Sequence, residues 1–145
     1  MRPLHWLLAI LSLCIVEIDG ARAFDLPRYG DPKEPIEQML KPLLETDREG
    51  FAETMKKHYG DQGRQVVGWV FDSFLVDDEK VNYVDQLESE ELGDTLKRYI
   101  YVIRTSSDDF LFLQFFLAKA SGGWVAHNID IQTEISEFIP GWESP

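Results

Sequence analysis

From Asp31 to about Phe74 the apolar positions recur with a helical period, and from Val81 onward they alternate. Ile36, Met39, Leu40, Leu43 and Leu44 form one stripe, with Asp31 placed to cap and Pro32 at the first helical position. Pro42 stands inside that stripe and removes a backbone donor, so a kink or a split is predicted there. Thr46 or Asp47 is placed to cap a second segment. In it Phe51, Met55 and Tyr59 follow one another at intervals of four, and Gly60 is a natural stop. A third helix is predicted from about Asp61, on the stripe Val66, Val67, Val70, Phe71 and Phe74, with Trp69 at the stripe's edge.

After Asp77-Asp78 the β-branched and aromatic types dominate, and strands are predicted over 81–87, 96–105, 110–119 and 124–133. Ser106-Ser107-Asp108-Asp109 and Ala120-Ser121-Gly122-Gly123 have the chemistry of hairpin turns. Three helical segments before an antiparallel meander predict an α+β fold, with the helices packed on one face of a curved, cone-like sheet of about four strands. If Ser107-Asp108 is the first loop, Thr105 pairs with Phe110 and Tyr101 with Gln114. If Ala120 pairs with Gly123, Phe116 pairs with His127. One face then carries Tyr99, Tyr101, Phe112, Gln114, Phe116, His127, Ile129 and Ile131. The other carries Ile100, Val102, Leu111, Leu113, Phe115, Leu117 and Asn128. A slip of one residue would exchange these sets across strands.

The first residues have a different pattern. Arg2 precedes an apolar run from Trp6 to Val16, and Ala21-Arg22-Ala23 gives the small-residue spacing of a cleavage site. The run is short for a membrane span. Residues 1–23 are therefore predicted to be a signal peptide, 24–133 a single domain and 134–145 a tail. Cys14, the one cysteine, lies in that leader behind Leu13, which is not the small residue a lipoprotein signal needs. The chain beyond it has no thiol for a disulfide, a nucleophile or a metal. It has no N-x-[ST] acceptor either. An exported domain built this way relies on its core, which suits a periplasm better than a eukaryotic extracellular space.

The 145-residue length fits one core, and the net charge of −12 argues against nucleic acid or anionic lipid as partner. It is consistent with a soluble exported domain.

Two sets of residues carry a resemblance. The stripe from Ile36 to Leu44 is followed by Asp47-Arg48-Glu49-Gly50-Phe51, and Phe112-Leu113-Gln114-Phe115-Phe116-Leu117 leads through Ser121-Gly122-Gly123 into Trp124-Val125. In these the chain resembles the nuclear-transport-factor-2-like superfamily, the ketosteroid-isomerase-like or cystatin-like fold, over about 31–133. The resemblance implies a sheet and helices that enclose a pocket, and an outer sheet face that often pairs subunits. It does not imply one activity, since isomerases, dehydratases and secretion components share the fold. Gln65-Val66-Val67-Gly68 lacks one residue of the cystatin inhibitory hairpin, Gln-x-Val-x-Gly, and falls on a predicted helix.

Tyr99, Tyr101, Gln114 and His127 are the pocket candidates, because apolar walls with a few converging polar groups make a ligand site. His127 near a tyrosine hydroxyl or Gln114 would suit acid–base chemistry. The opposing reading is that these groups satisfy buried backbone. Leu111, Leu113, Phe115 and Leu117 are the interface candidates: exposed, they would form a large apolar patch, unless the tail with Phe138 and Trp142 covers them. The acidic clusters lack the spacing of a calcium loop, and the three histidines lack zinc spacing. No cofactor and no metal are expected. The leading expectation is an exported domain that binds a small apolar ligand or another protein, with a homodimer or an envelope protein as partner. The alternatives are a small-molecule enzyme using His127 and a subunit of an envelope assembly.

Overall fold

The computed structural model describes residues 26–142. The predicted leader and its cleavage point lie outside the described residues. The architecture is α+β: α1 (Lys33–Leu44), α2 (Arg48–Tyr59) and α3 (Asp61–Gly68) precede a sheet of β1 (Val81–Leu92), β2 (Leu96–Thr105), β3 (Phe110–Ala120) and β4 (Gly123–Gln132). All neighbours are antiparallel and follow chain order, so β1 and β4 are the edges.

The helices form where the apolar stripes predict them. Asp31 Oδ1 accepts from the Lys33 N–H at 2.8 Å at the start of α1. Pro42 does not split α1, which continues to Leu44. It stands in the last turn, so little helix remains beyond it to be disturbed, and its carbonyl accepts from the Asp47 N–H at 2.8 Å. Asp47 caps α2 by accepting from Gly50 N–H at 3.0 Å. α3 passes close to α2 at Gly63, where an added Cβ would lie 2.5 Å from the Met55 carbonyl oxygen. α3 runs on into a π-helical turn, Trp69–Phe74, closed by Leu75 N–H on the Val70 carbonyl at 2.7 Å. Arg48 at the start of α2 forms a bidentate pair with Asp72 of that turn.

The sheet register corrects the hairpin arithmetic. Tyr101 pairs with Leu113, Tyr99 with Phe115 and Ile103 with Leu111. The cause is the turn. Thr105 N–H bonds the Asp109 carbonyl at 3.0 Å, and Asp108 takes a left-handed conformation (φ 64°), so the loop is Ser106-Ser107-Asp108. A three-residue loop ending in a left-handed residue is a standard hairpin solution. Glu79 holds it, accepting from Thr105 Oγ1 at 2.7 Å and from Ser107 N–H at 3.0 Å.

The second hairpin keeps the predicted register only as far as Leu117 opposite Ala126; beyond it Phe116 pairs with Asn128, which leaves His127 as the extra residue of a bulge. The bulge lets both halves of β4 point apolar residues at the helices: Trp124 and Ala126 before it, Ile129 and Ile131 after it. The core therefore lies between the helices and a face carrying Tyr99, Tyr101, Ile103, Leu111, Leu113, Phe115 and Leu117.

The opposite face carries Arg98, Ile100, Gln114 and Phe116. The tail lies over part of it. Arg98 Nη1 donates to the Phe138 carbonyl and to Gln114 Oε1, both at 3.4 Å, while Ile135 and Phe138 are buried. Arg98 also pairs with Glu88 at 2.8 Å and Glu90 at 2.7 Å on β1. Among the described residues no helix is long and apolar enough to cross a membrane.

Candidate functional site

The register separates the residues that the sequence reading had gathered. Tyr99 and Tyr101 lie in the core, Tyr101 edge-on to Phe115 at 5.8 Å with its hydroxyl 3.3 Å from Gln86 Oε1. Burial raises the Tyr99 hydroxyl and pushes that of Tyr101 up to about 12. Gln114 is on the other face beside Arg98, and His127 is exposed at the bulge. These four do not converge. The proposed interface row is also displaced: Leu111, Leu113 and Leu117 are 0% exposed and Phe115 1%, so the row is core rather than surface.

The structure brings together two other sets. The first is a groove between the end of α3 and β4, of about 230 Å³, lined by Gln65, Val66, Trp69, Ile129, Asp130 and Ile131. Its origin is local. Ile129 and Ile131 point to the helix side of an edge strand and are only half covered. In an α-helix residues five apart diverge, whereas a π turn closes a residue onto the fifth after it. Trp69 and Phe74 consequently stack, 6.0 Å apart and 11° from parallel. That contact holds the indole at the groove while leaving it 37% exposed. Asp130 is held on its strand, one carboxylate oxygen accepting from Ile131 N–H at 2.8 Å.

The second set centres on a buried histidine. His58 is 1% exposed on α2, and its Nδ1 lies 2.7 Å from the Thr54 carbonyl. The Tyr29 hydroxyl lies 2.7 Å from His58 Nε2 and 3.1 Å from Gln38 Oε1 of α1. Lys57 donates to the same Gln38 oxygen at 3.0 Å. Burial lowers the His58 pKa; the Thr54 bond opposes this and the Lys57 charge adds to it. The set ties the segment before α1 to α1 and α2, with Gln38 half-buried and Lys57 exposed at its rim.

A smaller crevice between α2 and α3, about 150 Å³, is lined by Ala52, Lys56, Gly60, Asp61, Arg64 and Val67. Three of its six lining residues, Lys56, Asp61 and Arg64, are charged, against one of the six that line the groove. Ligand sites combine apolar walls with few polar groups, so the groove is the better candidate.

No family model matches the chain, and no curated protein matches it. Among solved structures it is similar to a domain of unknown function with a cystatin-like fold from Nostoc punctiforme, at 15% identity and a TM-score of 0.51. That likeness covers 70% of this chain and 74% of the other. At such identity it establishes the cystatin-like fold alone.

Proposed function

We propose that the protein is an exported, non-catalytic binding domain whose working site is the groove between α3 and β4. The observation that carries this reading is Trp69, a large aromatic held flat by Phe74 yet left partly open beside Val66, Ile129 and Ile131. An exposed aromatic within an apolar hollow gains by being covered, and Gln65 is the polar side chain of α3 at its rim. The groove is smaller than the usual site for a drug-sized ligand, so its occupant is a single compact apolar group. Such a group belongs to a small ligand or to a side chain of an envelope protein. Export rests on the leader pattern, Arg2 before the apolar run Trp6–Val16 and then Ala21-Arg22-Ala23. The enzyme alternative loses its support, because His127 does not meet Tyr101 or Gln114.

The test is a fragment screen followed by amide chemical shifts. Saturable shifts at Gln65, Trp69 and Ile129, lost in Trp69→Ala, are expected. Hits that shift other surfaces and are indifferent to Trp69→Ala would contradict the reading.

A further inference from the structure

Resting on the groove reading, we infer that in the free protein the groove is filled by the ring of Phe24 of this same chain, which a ligand must displace in order to bind. Phe24 stands two places before Leu26, the first described residue. The direction of the chain is the first argument. Tyr29 and Trp124 form an isolated antiparallel bridge on the free edge of β4, exchanging backbone bonds at 2.9 and 2.7 Å. Antiparallel pairing carries the residues before Tyr29 along β4 from Trp124 toward Gln132, and so toward Ile129 and Ile131. Reach is the second argument. Phe24 is five residues before Tyr29, and Ile129 is five residues after Trp124. At about 3.3 Å per extended residue the two runs are of nearly equal length, so Phe24 comes level with the groove.

Leu26 and Pro27 are half-buried, so the segment still lies against the body where its described part ends. The Tyr29 side chain turns to the helices at His58, and strict alternation from it would carry Phe24 to the opposite face of the sheet. Pro27 and the bend at Leu26 interrupt that alternation just before the groove. The chemistry fits as well. The groove takes one compact apolar group, and of the two residues before Leu26, Phe24 is apolar and Asp25 is charged. A phenyl ring laid against Trp69, Val66, Ile129 and Ile131 gains buried area and an aromatic contact. Its tether at Tyr29 gives it an effective concentration on the order of millimolar, so a weak ligand meets a groove already filled. The bridge at Trp124 thereby sets the threshold for binding at the other end of the same strand.

The experiment titrates the full chain and its Phe24→Ala variant with 2-phenylethanol, followed by amide shifts. The substitution touches none of the contacts described above, so the fold is retained. Before any alcohol is added, Phe24→Ala should shift the amides of Val66, Trp69 and Ile129. It should then tighten 2-phenylethanol binding about fivefold, the gain expected where the ring fills the groove about four-fifths of the time. Phe24→Leu keeps an apolar plug and should bind the alcohol with an affinity between the two. Binding to Phe24→Ala alone would support the inference in its strongest form. Unshifted groove amides and equal affinity in the native sequence and Phe24→Ala would overturn occupancy by Phe24 while leaving the groove reading intact. No shift at the groove from 2-phenylethanol in any of the three proteins would overturn both.

Discussion

The Tyr29 hydroxyl sits 2.7 Å from Nε2 of His58, across 29 residues of chain. Nδ1 of His58 faces the Thr54 carbonyl, which only accepts, so Nδ1 carries a proton. In the neutral ring Nε2 is then the acceptor and takes the one proton of Tyr29. Gln38 Oε1, 3.1 Å from the same hydroxyl, must then rely on Lys57. In the charged ring Nε2 donates instead, and the Tyr29 proton is released to Gln38. Hydrogen bonding alone favours the charged form, while burial and the Lys57 charge oppose it, and the pKa of His58 is lowered on balance.

Stability should therefore fall with acidity. The folded protein binds this proton less readily than the unfolded chain, whose histidine titrates near about 6.5. The contribution is complete above that pH and is lost as the pH falls toward the lower folded-state value. Denaturant midpoints measured from pH 8 to pH 5 should decline for the native sequence, and the decline should be shallower in His58→Gln. Equal slopes in the two proteins would remove His58 as the cause.

The segment before α1 is held by the same tyrosine. Tyr29 exchanges backbone bonds with Trp124 at 2.9 and 2.7 Å, and Gly123 lets the chains meet there. A Cβ on Gly123 would lie 2.5 Å from the Tyr29 carbonyl oxygen, at a φ of +141° that other residues resist. Gly123→Ala should release the segment, seen as faster amide exchange at Tyr29 and Trp124. Tyr29→Phe should keep the backbone bridge and cost about 1 kcal/mol in a denaturation curve, the usual net worth of one hydrogen bond.

Phe115 separates core from surface most sharply. It packs edge-on to Tyr101 beneath the helices. Phe115→Ala should cost about 3–5 kcal/mol. Phe115→Asp should prevent folding, as judged by circular dichroism. A folded Phe115→Asp protein of altered oligomeric state would return this row to the surface.

The edge strands are each protected by an aspartate. Asp130 on β4 and Asp85 on β1 accept from the next residue's N–H, at 2.8 and 2.9 Å. These bonds occupy donors that another strand would use. Asp85→Val together with Asp130→Val should raise the rate of aggregation in light scattering. An unchanged rate would show that the edges are protected by other means.

The α+β class and the helix stripes were legible because periodicity survives any local detail. The break from helix to strand was legible for the same reason. The faces of the sheet were not, because they depend on whether the Ser106-Ser107-Asp108 loop is odd or even in length. Asp108's left-handed backbone decides that, and no side-chain pattern announces it. The bulge at His127 left a trace: the apolar phase moves from Trp124 and Ala126 to Ile129 and Ile131. His58 could have been placed by completing the stripe Phe51, Met55, Tyr59, which it joins. Tyr29 and Gln38, its partners, come from other segments and have no local signal. Trp69 was legible as an edge residue, but its stacking on Phe74 required the π turn.

The most direct measurement is the set of proton–proton contacts between a bound aromatic fragment from the screen and the protein, recorded by isotope-filtered nuclear Overhauser spectroscopy. Contacts from the ring to the Trp69 indole and to the Val66 and Ile129 methyl groups are the predicted result. Contacts confined to the crevice at Lys56 and Arg64, or to the sheet face beneath the tail, would contradict it.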